Sequence, residues 1–192
     1  MYAFDVYVGK STEDSRTELG AGGDVIMKLT QKANVPFNEG HKIHFDNYFT
    51  SYKLLDHLSS LGICATGTAR ENRLLNCPLP KKEVFRKKPK WSSDFATTSK
   101  VIVMKYKDNV VTIASNFECS TISSGRRYSA EKKSYIVIPQ PTVVQNYNLY
   151  MGGVDMMDQW VASYRTRMRQ KKWWWPIFIY FFDVVVVNSW IL

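Results

Sequence analysis

The spacing of hydrophobic and polar positions changes period several times along the chain, and each change marks an element. "YAFDVYV" near the start alternates and is rich in β-formers, which predicts a strand over 2–8. "GAGGDVIMKLTQKA" switches to helical spacing, begins after glycines and stops before Val35-Pro36. "HKIHFD" predicts a short strand, and "FTSYKLLDHLSSLG" an amphipathic helix closed by Gly62, with Thr50 or Ser51 as its N-cap. "ICATGTA" is the next strand. Strand, helix and strand at this spacing form a βαβ unit, which requires parallel pairing.

From Glu71 to Trp91 the chain is basic and carries prolines, so it reads as loop. "KVIVMKYKDNVVTIASNF" predicts a hairpin turning at Asp108-Asn109. "YIVIPQP" leads into a helix, "TVVQNYNLYM", which breaks at Gly152-Gly153, and two further helices follow. The pattern describes an α/β core interrupted by a basic, β-rich insertion. The boundaries read as 1–70 for the first part of the core, 71–135 for the insertion and 136–192 for the helical remainder.

Composition narrows the class. A chain of 192 residues with 45% hydrophobic and 14% aromatic content can bury a core and should fold. Its net charge of +9 favours polyanionic partners. Cys64, Cys77 and Cys119 are an odd number without a CxxC pair, which points to reduced thiols and away from a zinc cluster. "MYAFDVYVGK" lacks the charged start and apolar run of a secretory signal. "WWWPIFIYFFDVVVVNSWIL" is long enough for a bilayer, but Asp183 near its centre is expensive in hydrocarbon. The segment therefore reads as a buried helix, and no membrane partner is expected.

Charge is unevenly placed. Between Lys81 and Lys133 there are 13 Lys/Arg against 5 Asp/Glu. Arg86, Lys87, Lys88, Lys90, Arg126 and Arg127 lie in this stretch. "YRTRMRQKKWWW" adds Arg165, Arg167, Arg169, Lys171 and Lys172 beside three tryptophans. A solvated surface explains either run; cations next to aromatics also suit phosphates and unstacked bases.

Acids are the exception in such a chain. "MGGVDMMDQW" sets Asp155 and Asp158 three residues apart, on one face of a helix, where like charges repel by a few tenths of a kcal/mol unless a cation offsets them. Asp46 ends the strand "HKIHFD", at the carboxyl edge where open α/β sheets place their sites. It lies 109 residues before Asp155. The two could converge on a divalent cation, which prefers carboxylate oxygens and bridging phosphates. Taken singly, Asp46 also suits a turn cap and Asp155 a helix N-cap. His41, His44 and His57 show no ligand spacing.

"HFDNYFTSYKLLDHLSSLGICATGTARENR", "NYNLYMGGVDMMDQ", "YVGK" and "KKWWWPIFIYFFDVVVVNSWIL" together resemble the piggyBac-type transposases and their domesticated derivatives. The resemblance runs in order over nearly the whole chain. It implies an RNase H-like fold of DDE type with an insertion domain, and DNA cleavage and joining through an aspartate triad and two metal ions, Mg²⁺ or Mn²⁺. On that pattern the second acid is Asp46, the third Asp155, and Asp158 an additional acid near the metals. It further implies DNA as partner, at transposon ends or nonspecifically, a homodimer in the full-length family, and a nuclear location.

The pattern's first aspartate lies on a core strand upstream of the "YVGK" strand, and this sequence begins at the latter. Asp5 lies on the wrong strand for that role, and its neighbours Phe4 and Val6 make it one polar position of an ordinary strand. No cysteine-rich tail follows. The expectation is a core fragment that does not cut or join DNA. The alternative to an enzyme is a domesticated, non-catalytic DNA-binding protein using the basic stretches.

Overall fold

The computed structural model describes residues 3–5, 17–166, 168–169 and 171–191. Two compact units share them, one ending at Leu149 and the other starting at Tyr150. Of the strand predicted over 2–8, residues 3–5 are irregular and the rest lies outside the described residues, as does "YVGK".

The larger unit is built on a five-stranded sheet in the order β1-β2-β5-β4-β3. Its strands are β1 (Lys42–Phe45), β2 (Cys64–Thr68), β3 (Ser93–Thr97), β4 (Ile102–Tyr106) and β5 (Val111–Ser115). β1 and β2 pair in parallel, with Phe45 opposite Gly67, as the strand–helix–strand pattern requires. The remaining pairings are antiparallel. β3, β4 and β5 fall in the range read as an insertion, yet they continue the sheet of β1 and β2. A separate two-stranded ribbon is formed by β6 (Ile122–Ser129) and β7 (Ser134–Pro141).

Both faces of this sheet are covered. One carries α1 (Gly20–Lys32) and α2 (Tyr52–Ser60), which bring Ile26, Leu54, Leu55 and Leu58 against Phe45, Ala65, Val103 and Ala114. The other carries α4 (Thr142–Tyr150), whose Val143 and Val144 meet Met104, Tyr106 and Ile113. Every residue of β4 is buried because successive side chains enter opposite cores. α3 (Lys82–Phe85) is a single turn in the stretch read as loop.

α2 shows how closely local sequence dictates the element. Ser51 caps it, its hydroxyl accepting from the Leu54 N–H at 3.2 Å. At the other end Gly62 takes φ +67°, and the N–H groups of Gly62 and Ile63 reach back to the carbonyls of Ser59 and Leu58. This is a Schellman closure, which needs a residue tolerant of positive φ.

In the smaller unit α5 (Gly153–Tyr164) and α6 (Trp175–Ile191) pack through Met157, Val161, Val184 and Val187. α6 departs from the expected buried helix. Only a stripe of Ile179, Asp183, Val184 and Val187 is buried, while Phe178, Phe182 and Trp190 are exposed. Asp183, 4% exposed, accepts from the hydroxyl of Thr166 at 2.7 Å and from its N–H at 3.4 Å. The acid inside the apolar run thus ties the segment after α5 to α6. No helix among the described residues is long and apolar enough to cross a membrane.

Candidate nucleic-acid interface and acidic edge

Asp46 follows the last residue of β1, and its backbone is thoroughly held. Its carbonyl accepts from the N–H groups of Phe49 and Thr50 and from the Thr50 hydroxyl at 2.9 Å. Its carboxylate, on an exposed residue, accepts from the Asn47 N–H. Arg70 donates to the Asn47 side chain at 3.2 Å, and Arg73 donates to the Tyr48 carbonyl with its guanidinium 5.8 Å from the Tyr48 ring. Two arginines therefore brace the turn that displays Asp46.

The turn also depends on Gly67. A Cβ there would stand 2.3 Å from the Thr50 hydroxyl and 2.7 Å from the Phe45 carbonyl. Only glycine lets β2 run this close to the turn.

Asp155 and Asp158 are exposed on the first turns of α5, whose N-cap is Gly152. The break predicted at the glycine pair is present. Asp158 accepts from the Tyr180 hydroxyl at 2.9 Å, and this carboxylate raises the Tyr180 pKa above its ordinary value. Asp5 has another role: its carboxylate pairs with Lys28 and Lys32, both at 2.7 Å. Hydrogen bonds from those lysines hold its pKa down to about 2.

Among the described residues no group of three or more His, Cys, Asp or Glu is gathered to hold a metal ion. His41 and His57 are exposed and His44 is half-buried on β1. Carboxylates are the right donors for a hard divalent cation. Even so, the described residues do not make up a complete ligand set.

The basic stretch after α3 has a construction that sequence reasoning missed. Lys105, with a side chain 3% exposed, sends its ammonium to Glu71 at 2.5 Å and to the Pro80 carbonyl. Lys107 donates to the carbonyls of Arg86 at 2.5 Å and of Lys88. Lys105 therefore holds the backbone before α3 and Lys107 holds the loop after it, while Arg86, Lys87 and Lys90 are exposed. Lys88 is engaged differently, paired with Asp94 and 5.2 Å from the Phe85 ring. Burying a lysine inside a strand leaves no signature distinct from an exposed alternating position, so the sequence offered little to find it by.

In the ribbon the two predicted arginines diverge. Arg127 turns inward, pairs with Asp108 and lies 6.0 Å from the Trp91 ring. Arg126 turns outward, 5.5 Å from the Tyr135 ring. Arg165, Arg169, Lys171 and Lys172 are exposed in the segment between α5 and α6, and Arg167 lies outside the described residues.

The chain as a whole is similar to known proteins. The family model described as Transposase IS4 matches residues 1–190. The chain belongs to the Transposase IS4 family. Within it the chain is piggyBac-like, as the sequence motifs indicated. It is 34% identical to PiggyBac transposable element-derived protein 3 of Homo sapiens over 190 residues, covering 97% of this chain and 32% of that protein. It is 33% identical to the human PiggyBac transposable element-derived protein 2 over 180 residues, covering 90% of this chain and 30% of that one.

Among solved structures, the fold is similar to the piggyBac transposase in a cryo-EM synaptic complex with hairpin DNA. The TM-score is 0.71 at 23% identity, over 95% of this chain and 36% of that one. The core is accordingly RNase H-like. The chain spans about a third of the length of the relatives it matches. DDE transposases of this kind generally use divalent metals, and nothing in the described residues favours one metal over another.

Proposed function

We propose that this piggyBac-like chain is a DNA-binding core that, by itself, neither cuts nor joins DNA. The observation that carries the reading is the basic loop after α3. Two of its carbonyls, those of Arg86 and Lys88, are fastened by Lys107, and Arg86, Lys87 and Lys90 are exposed. A loop held by its backbone presents its charges without a further cost of ordering that backbone. The expected ligand is the phosphate backbone of DNA, bound without sequence preference, and the expected compartment is the nucleus. The similar solved structure is a transposase complex with hairpin DNA, which supports the same ligand class.

The division into a first core part, an insertion and a helical remainder belongs to this proposal. So does the assignment of Asp46, Asp155 and Asp158 as the acids that would hold Mg²⁺ or Mn²⁺ in a longer protein. Such ions would supply charge neutralisation at a phosphodiester when bound. The exposed Asp46 carboxylate on an immobilised turn favours that second reading, an enzyme whose site is completed elsewhere.

The test is titration of the intact chain with duplex DNA at several salt concentrations, followed by incubation with Mg²⁺ or Mn²⁺. Each neutralised phosphate contributes a slope of about −0.9 to the log–log plot, so about five contacts predict a slope near −4.5. Affinity that is flat between about 50 and 200 mM salt would overturn the reading. No nicked or joined product is expected. Strand transfer that disappears in Asp46→Asn would replace the proposal with the enzymatic one.

A further inference from the structure

The β6–β7 ribbon is the least expected surface of the molecule. Alternation sends Gly125, Arg127 and Ile138 toward the body and the intervening positions outward. The inward side is anchored twice: Arg127 reaches Asp108, and the Pro139 carbonyl accepts from the Tyr106 hydroxyl at 2.9 Å. The outward side ought to be polar in a ribbon with one solvated face. It is not. Tyr128 is 56% exposed, Tyr135 66% and Val137 73%.

The two tyrosines face one another across the register with ring centroids 5.5 Å apart at 73°. Arg126, on the same outward face, lays its guanidinium over Tyr135. Lys132 and Lys133 stand exposed at the ribbon's turn, and Glu131 is the one acid between Ile122 and Pro141.

We propose that this outward face is a stacking platform for unpaired nucleobases in a single-stranded stretch of DNA, with Tyr128 and Tyr135 as the stacking rings and Arg126, Lys132 and Lys133 on the adjoining phosphates. The proposal rests on the DNA-binding reading above and deepens it. An aromatic pair interleaved with cations is what a single strand offers partners for, because each nucleotide carries a π-face beside an anion. A protein partner of ordinary composition would leave the three cations without counter-charges. A duplex hides its base faces, so the rings have nothing to stack on until bases are unpaired.

The experiment uses the intact chain and two probes, a blunt duplex and the same duplex carrying an unpaired six-nucleotide extension with 2-aminopurine. Wild type should bind the extended probe about tenfold more tightly than the blunt one, the scale of one or two stacked bases, and should quench the 2-aminopurine. Tyr128→Ala/Tyr135→Ala should abolish both the preference and the quenching while leaving blunt-duplex affinity unchanged. Tyr128→Phe/Tyr135→Phe should keep both, since the ring and not the hydroxyl does the stacking.

Circular dichroism of the variants checks that these exposed positions leave the fold intact. Equal affinity of wild type for both probes, or a preference that survives the double alanine change, would overturn the platform. So would self-association lost in the same alanine variant. Binding of neither probe would instead remove the DNA-binding reading itself.

Discussion

An ammonium placed among aliphatic side chains is unfavourable unless oxygens replace its water. Lys105 is supplied with two, the Glu71 carboxylate and the Pro80 carbonyl. Hydrogen bonding to Lys105 in turn holds the Glu71 pKa below its ordinary value. Lys105→Met keeps the aliphatic stem and strips the Pro80 carbonyl of its donor. Equilibrium urea unfolding should show a loss of about 1–3 kcal/mol, the scale of an unsatisfied buried acceptor. Glu71→Gln should cost less, because that side chain is 43% exposed and water can replace its partner.

Gly67 is the second residue on which much depends. Gly67→Ala would drive a methyl into Thr50 and the Phe45 carbonyl. The expected outcome is a lowered melting temperature together with altered chemical shifts at Asp46–Thr50. Unchanged stability would show that the turn yields more easily than its hydrogen bonds suggest.

Asp5 gives a pH-dependent counterpart. Its folded pKa of about 2 lies below the ordinary 3.8, so its stabilising contribution is complete above pH 3.8 and is lost as pH falls through about 2. Asp5→Asn should therefore flatten the acid limb of the stability profile in that window and leave neutral-pH behaviour nearly the same as in wild type. A parallel acid limb in both proteins would refute the pairing with Lys28 and Lys32.

Elements were legible where local rules and tertiary demands agree. α2 carries its cap, its leucine stripe and its closing glycine in its own letters, and β1 and β2 follow from the crossover between them. The β6 strand was not read, because "ISSGRRYS" is poor in strand formers and becomes a strand only by pairing with β7. The single turn of α3 was hidden in a basic, proline-bearing stretch. The membership of β3, β4 and β5 in the main sheet was also hidden, since strand order is a long-range property that no local pattern encodes. α6 looked uniformly apolar and gave no periodicity from which to pick its buried stripe.

At the scale of the whole molecule the motifs disclosed the family more readily than the physics disclosed the site. Asp46, Asp155 and Asp158 were singled out as candidate site acids by the company they keep in the sequence. The structure adds what holds two of them: a bonded turn for Asp46, and the Tyr180 hydroxyl for Asp158. The cations divided in a way no sequence rule foresaw. Arg126 and Arg127 are adjacent in sequence yet serve opposite faces, and Lys105 and Lys107 act inward as fasteners.

The basic loop gains an unusual freedom from those fasteners. Its path is fixed by carbonyls bound to Lys107, with Lys105 holding Pro80 on the other side of α3, and Arg86, Lys87 and Lys90 make no ion pair among the described residues. Shape and electrostatic sign are thus stored in different places. Descendants of a transposase could reverse or erase the loop's charge without refolding it, so a lineage can change which polymer it meets while keeping the same backbone.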